Sequence, residues 1–179
     1  MALISTSTIL TSLCLFHITL AFFFYTNPSA IADQALVWVL GETLGMPRTT
    51  HFSAPSPASS FLAVALFLTG LSDLITLSMP EEIWLVHYWG AVAPARLTVF
   101  GLLTVFSWAT APSSNPFGIM AARFVVPGVT SGGDGLRNRV FFAFAFLETI
   151  SWIWVWVTLR EEAMVFSRRK RRRASSSAK

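Results

Sequence analysis

Hydrophobic residues in this chain fall into four long runs separated by short polar or mixed segments. The runs cover residues 9–25, 61–77, 94–111 and 140–159. As helices, each is about 25–30 Å long at ~1.5 Å per residue, enough to cross the hydrocarbon core of a bilayer. None alternates with period two, which argues against the strands of a β-barrel. Asn27-Pro28 closes the first run and Met79-Pro80 the second. Pro94 suits the first turn of the third, and Pro112 follows its end.

Two shorter patterns lie between the runs. Residues 33–45 (DQALVWVLGETLG) predict a helix too short to span, placed at the interface or re-entrant. Residues 79–89 predict a second short interfacial helix, started by the S-x-x-E spacing of Ser78 and Glu81 and ended by Gly90. Its Trp84, Tyr88 and Trp89 suit the headgroup level. Residues 112–135 are rich in Gly, Pro and Ser and read as an irregular loop. The expected fold is all-α: an integral membrane four-helix bundle with short interfacial helices, occupying residues 1–162. Residues 163–179 are expected to form a basic, disordered cytoplasmic tail.

Composition supports a lipid-covered surface. The chain of 179 residues is 54% hydrophobic and only 12% charged, whereas a soluble domain is about a quarter charged. Cys14 is the single cysteine, so no intrachain disulfide or cysteine metal site can form. Of the basic residues, Arg96, Arg160, Arg168–Arg173 and Lys179 fall on one side of four spans, and Arg48, Arg123, Arg137 and Arg139 on the other. The positive-inside bias places both termini in the cytoplasm, although Arg137 and Arg139 oppose it. Ala30-Ile31-Ala32 has the small-x-small form of a signal-peptide cleavage site. The preceding segment lacks a basic n-region, and an uncleaved first helix is expected.

With so few polar groups in the spans, each one matters. Glu148 lies in the middle of the fourth run, where a lone carboxylate costs about 3 kcal/mol or more unless protonated, paired or hydrated. Ala145, Ser151 and Trp152 share its helical face, so it is expected to point inward. His17 lies at a similar depth in the first run. Contact between them is open, but the opposite helix directions tilt the two side chains apart. Glu148 then serves helix packing or, alternatively, a ligand, ion or proton site. Asp73 and Arg96 lie just inside the same membrane face, near the end of the second run and the start of the third. They can form a bidentate pair that fixes the hairpin, or each can snorkel separately. Trp152, Trp154 and Trp156 read as an aromatic belt.

Arg168, Arg169, Lys170, Arg171, Arg172 and Arg173 begin nine residues after the fourth run, so anionic lipid headgroups explain them better than nucleic acid. An arginine-based retention signal would look the same. Arg172-Arg173-Ala174-Ser175 has the R-R-x-S form of a kinase site, making Ser175 a candidate phosphosite. No phosphate loop, zinc spacing or nucleophile triad is present, and neither a metal nor a cofactor is expected. The partners expected are membrane lipids, with a membrane protein left open.

The stretches LFHITLAFFFYTNPSAIADQALVWVLGETLG (15–45), GLSDLITLSMPEEI (70–83), YWGAVAPARL (88–97) and FLETISWIWVWVTLREE (146–162) resemble the fungal "increased loss of mitochondrial DNA protein 1" family of membrane proteins. The resemblance implies a multi-pass protein of the endoplasmic reticulum membrane. It links loss of the protein to poor mitochondrial genome maintenance, without implying a reaction or catalytic residues. The expected function is non-enzymatic and its support of mitochondrial DNA indirect. The alternatives are a small-ligand, sterol-like binding protein or isomerase with a site around Glu148, and a proton or ion pathway.

Overall fold

The computed structural model describes residues 5–111 and 132–177. Among them there is no strand, and four helices are long and apolar enough to cross a membrane. They are α1 (Thr6–Thr26), α4 (Pro57–Thr76), a helix running through the π-helical turn Glu82–Tyr88 into α5 (Trp89–Ala109), and α6 (Arg139–Ser177). Short helices α2 (Pro28–Ala32) and α3 (Ala35–Thr43) connect α1 to the rest at what we call the loop end. The opposite, tail end holds the start of α1 and the far part of α6. Most of the expected irregular loop, residues 112–131, lies outside the described residues, and residues 132–136 form a 3-10 turn.

Local chemistry sets the helix ends. Ser56 and Ser59 form a reciprocal capping box with Pro57 in the first turn, which starts α4. Asn138 Oδ1 accepts from the amides of Val140 and Phe141 and starts α6. Ser5 caps α1, and Glu162 on α6 accepts from the Thr6 amide at 2.9 Å, fastening the first turn of α1 to the last span.

Packing falls into two pairs, α1 with α4 and α5 with α6, and α3 lies against α6. Gly70 permits the first pairing. A Cβ there would stand 2.9 Å from the Cys14 carbonyl oxygen and 3.1 Å from the His17 Cβ, so the two backbones approach as only a missing side chain allows. Gly41 does the same for α3, with the Arg139 Cβ 2.7 Å from the position a Cβ would take. The outer surface is apolar: Phe22, Phe61 and Leu102 are all more than 60% exposed. Many span hydroxyls, such as Thr19, Thr69, Thr98 and Thr149, donate to the carbonyl four residues back and so need no water.

Several expectations are corrected. Residues 79–89 do not form a separate helix. The Ser78 hydroxyl donates back to the Ile75 carbonyl instead of capping forward, and the turn begun at Pro80 runs on into α5. Gly90 does not end it. Pro94 lies inside the helix, and its ring meets the carbonyl four residues earlier, which is that of Gly90, where no side chain adds crowding. The π-helical turn, closed by the Trp89 amide on the Trp84 carbonyl, precedes this irregularity. The tail is also helical, with α6 continuing to Ser177. Extending an existing helix needs no new nucleus, and Arg, Lys and Ala are strong helix formers. Trp89 and Trp152 are fully buried and belong to the core, not to an aromatic belt.

Substituting Gly70 by Val should lower thermal stability in detergent by about 1–3 kcal/mol equivalent, because the carbonyl of Cys14 cannot yield as a side chain can. Gly101, where an added Cβ would meet nothing within 4 Å, is the control. Gly101→Ala should be neutral or stabilising by up to about 1 kcal/mol. Equal melting temperatures for the two variants would mean that α1 and α4 do not pack at Gly70.

Candidate functional site

Each of the four spans contributes to one buried line of polar and aromatic groups. Asp73 stands in the last turn of α4 and is 2% exposed. The Arg96 guanidinium, from the second turn of α5, donates to both its oxygens, Nη1 to Oδ2 at 2.5 Å and Nη2 to Oδ1 at 2.9 Å. This is the bidentate geometry in which an arginine matches a carboxylate best. The pair does not fix an α4–α5 hairpin, since those two helices touch little. It joins the α1–α4 pair to the α5–α6 pair.

The same guanidinium lies over two indoles. Its carbon is 5.5 Å from the Trp89 ring centroid and 5.0 Å from that of Trp152. The two rings stack at 5.6 Å with 24° between their planes. A desolvated cation over tryptophan gains about 2 kcal/mol, which helps to offset the cost of taking Arg96 out of water. Trp152 Nε1 donates to Glu148 Oε2 at 2.8 Å, one helical turn away on α6. The other Glu148 oxygen meets His17 Nε2 on α1 at 2.8 Å. Glu148 is therefore fully buried with both oxygens engaged.

The His17–Glu148 contact departs from the expectation that the antiparallel directions of their helices hold them apart. Gly70 explains it. Gly70 lets α4 lie close against α1 at the His17 Cβ, and the imidazole reaches Glu148 on α6. The Phe16 and Phe144 rings flank it at a tilt, with ring centroids 6.0 and 6.4 Å away. His17 Nδ1 has no hydrogen-bond partner.

The line can hold charge and a proton inside the membrane. A single proton shared by His17 Nε2 and Glu148 Oε1 satisfies that contact whichever atom carries it. The surroundings are filled: Leu10, Leu13, Leu85, Ala93 and Val155 pack around Trp89 and Trp152. Among the described residues no three of His, Cys, Asp and Glu lie close enough to hold a metal ion.

Sequence reasoning selected His17, Asp73, Arg96 and Glu148 but missed the indoles that connect them. Their signals were present. Trp152 is one turn from Glu148, and Trp89 is two turns before Arg96 on the same face. It also missed Arg139, which is drawn into the loop end. There Nη2 donates to the Met46 carbonyl at 3.3 Å and lies 3.7 Å from Glu42. In the tail, Arg168, Arg169 and Lys170 are exposed, as is Ser175. Lys170 bonds Glu82 across the tail end at 2.5 Å, and the side chains of Arg171, Arg172 and Arg173 lie outside those described.

Removing one partner of a buried ion pair leaves the other uncompensated, at about 3–5 kcal/mol. Asp73→Asn and Arg96→Gln should each destabilise the protein in detergent. The double variant should lose less than the sum, with a coupling of roughly 1 kcal/mol or more. Strict additivity in thermal unfolding would show that the two groups do not interact.

Comparison with known proteins places the chain. It is 32% identical over 93 residues to "Protein ILM1" of Saccharomyces cerevisiae, an alignment covering 52% of this chain and 43% of that relative. The match therefore spans less than half of the relative's length. No solved structure matches the chain significantly. The family described as "Increased loss of mitochondrial DNA protein 1" matches residues 4–169, nearly the whole sequence. This chain belongs to that family.

Proposed function

We propose that the protein is a non-enzymatic, multi-pass component of the endoplasmic reticulum membrane that supports mitochondrial DNA maintenance indirectly. Mitochondrial DNA enters through the family's name. The endoplasmic reticulum enters through the resemblance of the spans, and the cytoplasmic position of both termini through the excess of basic residues at the tail end.

One observation carries the non-enzymatic reading. The polar groups that would have to meet a substrate are spent on each other: both oxygens of Glu148, both of Asp73 and both Nη atoms of Arg96 have internal partners. The same line that would form a ligand site instead ties four spans together. A ligand pocket or an ion path at Glu148 would need open, hydrated volume that reaches it; the apolar cavity that Phe16, Phe144 and Leu147 help to wall has neither Glu148 nor His17 in its lining, and Trp89 and Trp152 pack among apolar neighbours.

The tail supplies the contact with the membrane surface. Six consecutive cations on a helix that extends from the last span attract anionic headgroups at about 1 kcal/mol each near the surface. A phosphate on Ser175 would oppose that attraction with nearly two negative charges.

The test is to express variants in fungal cells lacking the protein and to score mitochondrial DNA retention beside steady-state protein level. Glu148→Gln keeps shape and hydrogen bonding and should retain both. Glu148→Lys buries an unpartnered cation and should lower both together. A Glu148→Gln protein that accumulates normally yet loses mitochondrial DNA would overturn the packing role and indicate a chemical one.

A peptide of residues 163–179 should bind anionic vesicles and not neutral ones, and lose affinity as salt rises. Phosphorylation at Ser175 should weaken it further. Binding indifferent to lipid charge would leave the tail without an electrostatic role.

A further inference from the structure

At the loop end, α1, α3 and α6 border a cavity of about 260 Å³ walled by Phe16, Leu20, Phe24, Val37, Phe144 and Leu147. From Phe16 to Phe24 it follows α1 for about 12 Å at ~1.5 Å per residue. That is close to the hydrocarbon depth of one leaflet, half of ~30 Å. Thr19 and Leu36 on its border are exposed, so the groove opens toward lipid.

A second cavity of about 250 Å³ adjoins it, with Val140 lining both. Helix α2 gives Ala30 and Ile31 to the first and Ser29 and Ala32 to the second, which Asp33, the residue after the helix, also lines. The second is polar, lined by Arg48, Arg139, Asp33 and the hydroxyls of Thr49, Thr50 and Ser53. Arg139 is 8% exposed, and its Nε is buried without a hydrogen-bond partner. Its contact with Glu42 reaches a carboxylate that is 63% exposed, so water already screens that partner. Arg139 Nε packs against Gly41 of α3, and the polar groups lining the cavity, Arg139, Arg48 and the hydroxyls of Thr49 and Thr50, together have the chemistry of an oxyanion site.

We propose that the two cavities together hold one glycerophospholipid with a zwitterionic headgroup. One acyl chain lies in the apolar groove, the phosphate meets Arg139 and Arg48, and the headgroup ammonium meets Asp33. The apolar groove selects a lipid over free phosphate. The arginines select a phospholipid over a sterol or a diacylglycerol, and Asp33 selects a headgroup carrying a cation over an anionic one. This site is at the opposite end from the basic tail and stands independently of the tail's role.

The full chain, delipidated in mild detergent, would be titrated with dioleoyl-phosphatidylethanolamine, dioleoyl-phosphatidylglycerol and dioleoylglycerol. One-to-one adducts would be followed by native mass spectrometry. Phosphatidylethanolamine should bind about tenfold or more tighter than dioleoylglycerol, and tighter than phosphatidylglycerol. Arg48 and Asp33 are exposed, so their variants should keep wild-type helicity. Arg48→Ala should weaken phosphatidylethanolamine about tenfold and leave dioleoylglycerol unchanged. Asp33→Asn should abolish the preference over phosphatidylglycerol, and Thr19→Trp should weaken all three by obstructing the groove. Equal binding of the three lipids by the wild-type chain would overturn the proposal, leaving ordinary annular lipid. So would a preference for phosphatidylglycerol, or the absence of any one-to-one adduct.

Discussion

The Arg96–Asp73 fork joins the α1–α4 pair to the α5–α6 pair, and its guanidinium also begins the route to the other buried charges. Lipid offers no hydrogen bonds, so a charged group that enters the bundle is costly unless it finds its partner within it. Arg96 finds a carboxylate in its plane and two indole faces around it. Trp152 passes the connection on through its Nε1 to Glu148, and Glu148 to His17. The relative placement of the spans follows from this requirement, because displacing any one of them strands a charge or a donor away from water.

The rest of the bundle is organised around the same scarcity of solvent. Apolar side chains face outward as well as inward, so burial of hydrophobic area cannot discriminate one helix arrangement from another as it does in a soluble protein. Discrimination comes from close packing at Gly70 and Gly41 and from polar contacts between helices, such as the Thr104–Thr149 hydroxyl pair of α5 and α6. Arg139 follows the same logic. Although it adds a positive charge on the side that the charge bias disfavours, it is drawn inward to the Met46 carbonyl and to Glu42.

This arrangement separates a closed centre from two polar ends. In the centre the charged groups pair with one another. The loop end presents arginines and hydroxyls beside an apolar groove, and the tail end presents a helix of exposed cations pinned by Lys170 to Glu82.

The sequence alone determined that four helices are long and apolar enough to cross a membrane and that His17, Asp73, Arg96 and Glu148 are the expensive residues within them, because length, hydropathy and the cost of charge in lipid are local properties. The break at Pro80, the short helix around residues 35–43 and the nearness of Asp73 and Arg96 to one membrane face were legible for the same reason. Which helices pair was not, since lipid-facing and helix-facing apolar residues look alike in sequence. The His17–Glu148 contact depends on the closeness that Gly70 allows, and the linking role of Trp89 and Trp152 on a charge that arrives from another helix. The helical tail was missed because composition reports that the segment has no core to bury. The tertiary structure decided it by supplying an already formed helix from which the tail extends, with no nucleation to overcome.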